Sequence, residues 1–254
     1  GPYLESARLL GRRTAQMHVV LARSEGDPAF DPEPFTDFHR RALSHAMDSA
    51  AKYALRALRK RLDELPSDVQ DRAQYVLDRE DDVRSIARAL REQTIRARRI
   101  RCHGYYHLRQ VLFTGSDFVI VDFEGEPQRR LSERRLKSPP LRDVASMLRS
   151  FHYAANSCLL DRTPDVVVGP DEFGWLQPAA LFWQIWVSGV FLKSYLDVVK
   201  EGDLLPESRD QLNLLLRAYL LDRSVYELAH ELDNRPQWLR VPLDGIVGLL
   251  KTTA

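Results

Sequence analysis

The chain has 254 residues, 44% of them hydrophobic, enough to bury a sizeable core as an ordinary globular protein. Its 37 basic and 36 acidic residues nearly cancel, so no whole-chain charge draws it to nucleic acid or to an anionic membrane surface. Cys102 and Cys158 suit free thiols in a reducing compartment better than a disulfide frame, which makes the cytoplasm the expected location.

Gly1-Pro2 reads as a protease scar, and no charged-then-apolar leader follows it. Leu4, Ala7, Leu10, Thr14, Met17, His18 and Leu21 recur at three- and four-residue spacing, which predicts an opening amphipathic helix that stops at Glu25-Gly26-Asp27-Pro28. After a loop with Pro28, Pro32 and Pro34, a long helix from Phe38 to Leu65 is expected, with Ala42, Ala46, Ala50, Tyr53, Ala57, Leu58 and Leu62 on its buried face. Pro66-Ser67-Asp68 breaks it and caps the next helix. Its stripe of Val69, Ala73, Val76, Leu77, Val83, Ile86 and Leu90 runs to about Arg96.

Two runs, Cys102 to Leu112 and Phe118 to Glu124, flank Gly115-Ser116 and read as a hairpin that brings Gln110 and Asp122 close together. Pro139-Pro140 hands over to a helix from Leu141 to about Asn156. The segment from Asp161 to Gly174, with Val166-Val167-Val168, reads as an irregular loop or a short pairing. Pro178 is expected to begin a helix whose Phe182, Trp183, Trp186, Phe191 and Tyr195 are core, and the apolar stretch from Ala179 to Val199 is interrupted by Gln184, Ser188, Lys193, Ser194 and Asp197, which argues against a membrane span. Helices after Pro206 and from about Pro242 to Lys251 complete the chain. No repeat is visible, so the expected architecture is one mainly α domain over residues 1–254 with a small β-hairpin.

Arg84, Arg88, Arg91, Arg96, Arg98, Arg99 and Arg101 form one basic run, and Arg129, Arg130, Arg134, Arg135, Lys137 and Arg142 a second. Neither is interleaved with aromatics, so both read as solvated surface rather than a nucleic-acid site. His103 and His107 lie on a loop without helical spacing or an obvious third ligand, and read as loop-bracing rather than metal-binding. Neighbours on a strand point opposite ways, which argues against Cys102 acting as a thiol nucleophile beside His103.

The stretch His103-Gly104-x-x-His107-x-x-Gln110, followed by Asp122-Phe123-Glu124-Gly125-Glu126-Pro127 and by Pro140-Leu141-Arg142-Asp143-Val144-Ala145, resembles the catalytic loop and metal-binding strand of the aminoglycoside-phosphotransferase-like kinases, in particular their maltokinase branch. Tyr226-Glu227-Leu228, Asn234-Arg235-Pro236 and the opening Leu10-Gly11-Arg12-Arg13 with His18 extend the resemblance over nearly the whole chain. It implies a helical C-terminal kinase lobe with a hairpin carrying the catalytic loop. It also implies metal-ligand positions at Gln110 and Asp122 with Glu124 nearby, a loop-bracing Asp143, and sugar contacts on the helix of Arg223, Tyr226, Glu227 and His230.

Three departures qualify what the resemblance implies. Tyr105 stands where the family has its catalytic Asp, and a phenol with an ordinary pKa of about 10 is a poor base near neutrality. Arg109 replaces a Gly beside the metal ligand. Nothing resembles the N-terminal nucleotide lobe. The expectation is therefore a degenerate or truncated maltokinase-like lobe that requires no cofactor, with weak or absent Mg²⁺ at Gln110, Asp122 and Glu124 and no use of ATP. The alternatives are a hydrolase or lyase rebuilt around Tyr105, His107 and Arg109, and a maltose-binding or interaction module. A small-molecule or disaccharide ligand is expected, neither nucleic acid nor membrane is, and a homodimer could form through the face a missing lobe would leave.

Overall fold

The computed structural model describes residues 2–23, 25–127, 129–160 and 170–251, without the side chains of Asp68, Cys158 and residues 170–175. In chain order its elements are α1 (Pro2–Leu21), β1 (Glu33–Pro34), α2 (Asp37–Lys60), α3 (Ser67–Leu77), α4 (Glu80–Arg88), β2 (Arg98–Arg99), β3 (Val111–Phe113), β4 (Phe118–Ile120), α5 (Leu131–Arg134), α6 (Leu141–Leu160), α7 (Pro170–Val199), α8 (Arg209–Asn234) and α9 (Arg240–Lys251). The fold is mainly helical. Its described strands form two antiparallel pairs, β1 with β2 and β3 with β4. No helix among the described residues is long and apolar enough to cross a membrane.

The chain divides into two compact units. The first holds the chain up to Phe35 and Arg96–Glu207; the second holds Thr36–Ile95 and everything from Ser208 on.

In the first unit α1 and α7 pack closely, and the sequence shows why they can. A Cβ added at Gly11 would lie 2.4 Å from the Phe191 carbonyl oxygen and 3.1 Å from the Tyr195 nitrogen. Only a residue without a side chain lets the two backbones approach so closely. The α1 face predicted from spacing is the one observed, with Ala7, Leu10, Thr14 and His18 buried. On α6, Val144, Met147, Leu148, Phe151 and Ala155 are buried as their period implies.

Helix α7 departs from expectation in two ways. It begins at Pro170, so Pro178 lies inside it. Phe191 and Tyr195 are core, whereas Phe182 and Trp186 are 64% and 52% exposed, because only the C-terminal half of the helix is enclosed. The stretch 161–169, which contains Val166-Val167-Val168, lies outside the described residues, as does the side chain of Cys158.

In the second unit, α2 buries Ser44, Met47, Ala51, Ala54, Leu55 and Leu58, and the predicted row of Ala42, Ala46, Ala50 and Tyr53 faces solvent. Alanine loses little on either face, so the large side chains Met47, Leu55 and Leu58 set the rotation, each worth about 1.5–3 kcal/mol when buried. The predicted third helix is two, α3 and α4, with Asp78-Arg79 between them. Its stripe is nonetheless correct, with Val69, Ala73, Val76, Val83, Ile86 and Leu90 all buried. The expected side-chain cap at Ser67 is absent, since α3 starts on that residue.

Several arginines of the two basic runs are committed to partners within the protein. Arg84 forks onto Asp48 at 2.8 and 3.1 Å. Arg99 holds the Lys137 carbonyl at 2.9 Å and Glu33 at 3.3 Å. Arg129 pairs with the buried Glu126 at 2.7 Å.

Candidate active site

The site grows from the hairpin of the first unit. Strands β3 and β4 are joined by Thr114 to Asp117, whose Thr114 N–H donates to the Asp117 carbonyl at 2.8 Å with Gly115 at φ +98°. The ladder pairs Val111 with Ile120. One step further, the Val121 N–H donates to the Gln110 carbonyl at 3.0 Å. This sets Gln110 beside the Val121-Asp122 link, as the hairpin reading requires. The first predicted run is extended only from Val111, since His103 to His107 form a loop and Leu108–Gln110 a single 3₁₀ turn.

Asp143, at the start of α6, organises that loop. Its carboxylate accepts the His103 N–H at 2.7 Å and the Gly104 N–H at 3.0 Å. His18 of α1 reaches the same carboxylate with Nε2 at 3.3 Å, and His18 Nδ1 lies 3.0 Å from the Tyr195 hydroxyl of α7. Burial pushes the Asp143 carboxyl up, but the His18 hydrogen bond, with the Arg142 guanidinium adding to it, holds the group below the usual carboxylate range. Burial also pushes the Tyr195 phenol well up, with Cys102 and Asp143 adding to the effect, so it stays protonated.

His103 braces the loop and is itself buried. Its Nδ1 accepts the Tyr105 N–H at 3.4 Å, which leaves the proton on Nε2 to donate to the Val121 carbonyl at 2.8 Å. The Phe123 ring packs on it at 4.9 Å. Both neighbours of Asp122 are thus pinned to His103, and Asp122 between them is exposed and held at φ +62°. A non-glycine residue in the left-handed region costs on the order of 1–2 kcal/mol, least for Asp and Asn.

The remaining loop residues divide into buried and open ones. Tyr106 is wholly buried, and because Thr14 Oγ1 donates to the Leu10 carbonyl at 2.8 Å, the Tyr106 hydroxyl donates to Thr14 Oγ1 at 2.8 Å. Burial pushes its phenol well up despite that bond. Tyr106 is core. Tyr105 and His107 are partly exposed and meet edge to face at 4.5 Å, with His107 Nδ1 accepting the Arg109 N–H at 3.3 Å. The Arg109 side chain is exposed. The loop therefore turns a phenol, an imidazole and a guanidinium outward.

The Cys102 thiol donates to the Ser138 carbonyl at 3.3 Å, and burial, with Asp143 adding to it, pushes it well above its ordinary value. It is not a thiolate nucleophile. Among the described residues no group of three or more His, Cys, Asp or Glu could hold a metal. Gln110, Asp122 and Glu124 offer one amide and two carboxylates, a hard oxygen set that suits Mg²⁺ only if further oxygens complete its shell.

The predicted sugar contacts lie in the second unit, on α8. Arg223 donates to Glu227 at 3.2 Å and stands 4.7 Å from the Tyr226 ring centre. Tyr226 and His230 are parallel within 10° at 6.4 Å. Glu227 is buried and Tyr226 is half-buried. Sequence reasoning did not pick out Glu231, 2% exposed and forked by Arg235 at 2.7 and 2.9 Å, although the Glu-x-x-x-Arg spacing on one helix was a usable signal. It also missed Tyr195 and Thr14 as polar partners, each having been read as one face of a helix. An apolar cavity of about 830 Å³ in the first unit is lined by Leu10, Leu108, Phe113, Phe118 and Phe151 among others. Its lining does not suit a sugar or a phosphate.

No family model matches the chain. The glucosamine kinase of Streptacidiphilus jiangxiensis is 27% identical over 248 residues, covering 96% of this chain and 49% of that protein. The glucosamine kinase of Mycolicibacterium smegmatis (strain ATCC 700084 / mc(2)155) is 26% identical over 159 residues, 58% of this chain and 34% of that protein. A solved glucosamine kinase in complex with glucosamine, ADP and inorganic phosphate superposes with a TM-score of 0.78 at 22% identity, over 98% of this chain and 55% of that one. A second crystal form gives 0.77 over 99% and 54%. The chain spans about half the length of the curated relatives it matches. These relatives correct the maltokinase resemblance, and with it the reading of the chain as a degenerate maltokinase-like lobe, because the similarity to glucosamine kinases runs along the whole of this chain. The resemblance rests mainly on the loop and Asp122-Phe123-Glu124, and residue types at those positions do not by themselves distinguish one sugar acceptor from another. What the solved structures establish is the fold, a mainly helical one shared with glucosamine kinases.

Proposed function

We propose that the chain carries the metal-binding loop of a sugar kinase that transfers phosphate from a nucleotide to an amino sugar of the glucosamine class. The observation that carries this reading is the end of the hairpin ladder, where the Val121 N–H donates to the Gln110 carbonyl and sets Gln110 beside the Val121-Asp122 link, next to a loop that Asp143 braces at His103 and Gly104. The similarity to glucosamine kinases, which covers 96% of this chain and 49% of the first of those relatives, supports the sugar and the nucleotide.

Mg²⁺ bound together with nucleotide phosphates neutralises charge on the transferred group, and Gln110, Asp122 and Glu124 are the residues that would hold it. Phosphoryl transfer passes through a loose transition state that asks mainly for positioning and charge stabilisation rather than strong base catalysis. In that scheme Tyr105 orients the acceptor hydroxyl by a hydrogen bond, and the Arg109 guanidinium offsets negative charge on phosphoryl oxygens. His107 sets the Tyr105 ring, and His103 and Asp143 hold the loop. In the second unit, the Arg223–Glu227 pair and the parallel Tyr226 and His230 rings have the chemistry of sugar recognition, charged groups for hydroxyls and flat faces for a pyranose. A homodimer would use the exposed Leu181, Phe182, Ile185 and Trp186 of α7 as its surface, and sedimentation of the phenylalanine and tryptophan to serine variants tests it.

The function is tested by following ADP release and, by calorimetry, ligand binding, with glucosamine, N-acetylglucosamine and maltose in turn. Glucosamine-dependent ADP release above that with maltose is the expected result. Absence of both turnover and glucosamine binding would overturn the proposal.

A further inference from the structure

We infer that Tyr195 is a positioning residue for the loop of the candidate active site, acting through His18 and Asp143. The inference deepens the phosphotransfer reading and rests on it only for the effect on turnover.

Three helices distant in sequence bring the groups together. The Asp143 carboxylate can only accept, so the proton on the facing His18 nitrogen sits on Nε2. His18 Nδ1 is then the acceptor for the Tyr195 hydroxyl at 3.0 Å. The rings of His18 and Tyr195 meet edge to face at 5.6 Å, and His18, Asp143 and Tyr195 are all essentially inaccessible to water. The carboxylate therefore selects one of the two imidazole tautomers, and the phenol is the donor that holds the remaining nitrogen and fixes the ring in place. With the proton on Nδ1 instead, Nε2 would present a lone pair to a buried carboxylate, which repels it. Asp143 would lose the contact that orients it toward the His103 and Gly104 N–H groups, the two bonds on which the loop hangs.

This arrangement explains a feature that packing alone does not. Phe191, one turn before Tyr195 on the same buried stripe, is a phenylalanine against α6. Tyr195 places a hydroxyl in an equally buried spot, a cost that its bond to His18 offsets.

The test uses the full chain. Nitrogen-detected NMR of the histidines should show His18 as the Nε2–H tautomer at neutral pH, and in Tyr195→Phe the tautomer should persist while the Nδ1 resonance shifts with loss of the phenol hydrogen bond. In Tyr195→Phe, amide exchange at His103 and Gly104 should rise about tenfold while exchange in the α6 interior stays the same. In a turnover assay kcat should fall with KM little changed. His18→Gln, which can still donate to Asp143, should retain slow exchange, whereas His18→Leu should not, and its folding is checked by melting. A His18 that is doubly protonated or carries its proton on Nδ1, or loop amides indifferent to Tyr195→Phe, would overturn the inference even if the chain proves to be an active kinase. Altered exchange without any turnover would instead count against the phosphotransfer reading alone.

Discussion

His18 and Asp143 stand 125 residues apart in the chain and meet at 3.3 Å in the interior, where neither side chain is more than 1% exposed. The carboxylate spends its other contacts on the backbone of the candidate active-site loop, so a pair that looks like core electrostatics decides where Tyr105 and Arg109 are held.

Removing that carboxylate should be costly. Asp143→Ala leaves the His103 and Gly104 N–H groups and a buried imidazole without their acceptor, and a loss of about 3 kcal/mol or more in denaturant unfolding is expected. The same group predicts an acid dependence. Its folded pKa lies below the unfolded value of about 3.9, so its stabilisation is complete above that pH and is lost as pH falls below about 4 through the folded value. The stability difference between the wild type and Asp143→Asn should therefore shrink below pH 4, as measured by denaturant titrations at stepped pH.

Gly11→Ala should weaken the first unit. Its new methyl would stand 2.4 Å from the Phe191 carbonyl, a backbone atom that cannot rotate away. A cost of about 1–3 kcal/mol is expected from the forced separation of α1 and α7, read as a lower melting temperature.

Asp122 should show stability and function in opposition. Asp122→Gly relieves the left-handed backbone at φ +62°, so the variant should be as stable as the wild type or gain up to about 1 kcal/mol. On the proposed function it should at the same time lose Mg²⁺-dependent turnover. Parallel melting and activity measurements check the pair of outcomes, and a clear loss of stability would mean that Asp122 makes a structural bond.

On the hairpin turn, the Asp117 carboxyl is depressed to about 2 by the forked Arg13 guanidinium at 2.7 and 2.8 Å, and further by the Phe118 N–H. Its folded pKa is lowered, so this contribution is present above about 3.9 and fades toward 2. Arg13→Ala should return most of the shift, observable in the carboxyl carbon chemical shift. Both groups are substantially exposed, so added salt should move the wild-type value toward the ordinary one.

Much of the local structure was legible without coordinates because it follows from short-range rules. Three- and four-residue periodicity located α1, α6 and α8, and Gly115-Ser116 between β-formers located the hairpin that joins Gln110 to Asp122. The rotation of α2 was not legible, since a row of alanines fits a core or a surface equally well. Nor were the exposed Phe182 and Trp186, because spacing on a helix marks a face without saying whether anything covers it. The loop motif suggested a maltokinase-like lobe, whereas the similarity along this chain is to glucosamine kinases, since residue types in the loop do not by themselves distinguish one sugar acceptor from another. Single residue types determined the outward chemistry of Tyr105, His107 and Arg109 and the conformational freedom at Gly11. Only the tertiary structure decided that Tyr106 is core while Tyr105 is open, and that His18, Tyr195 and Asp143 form one buried chain of hydrogen bonds. Those contacts join residues more than fifty positions apart, and burial, which governs both their protonation and their worth, is a property of the packed units rather than of any stretch of sequence.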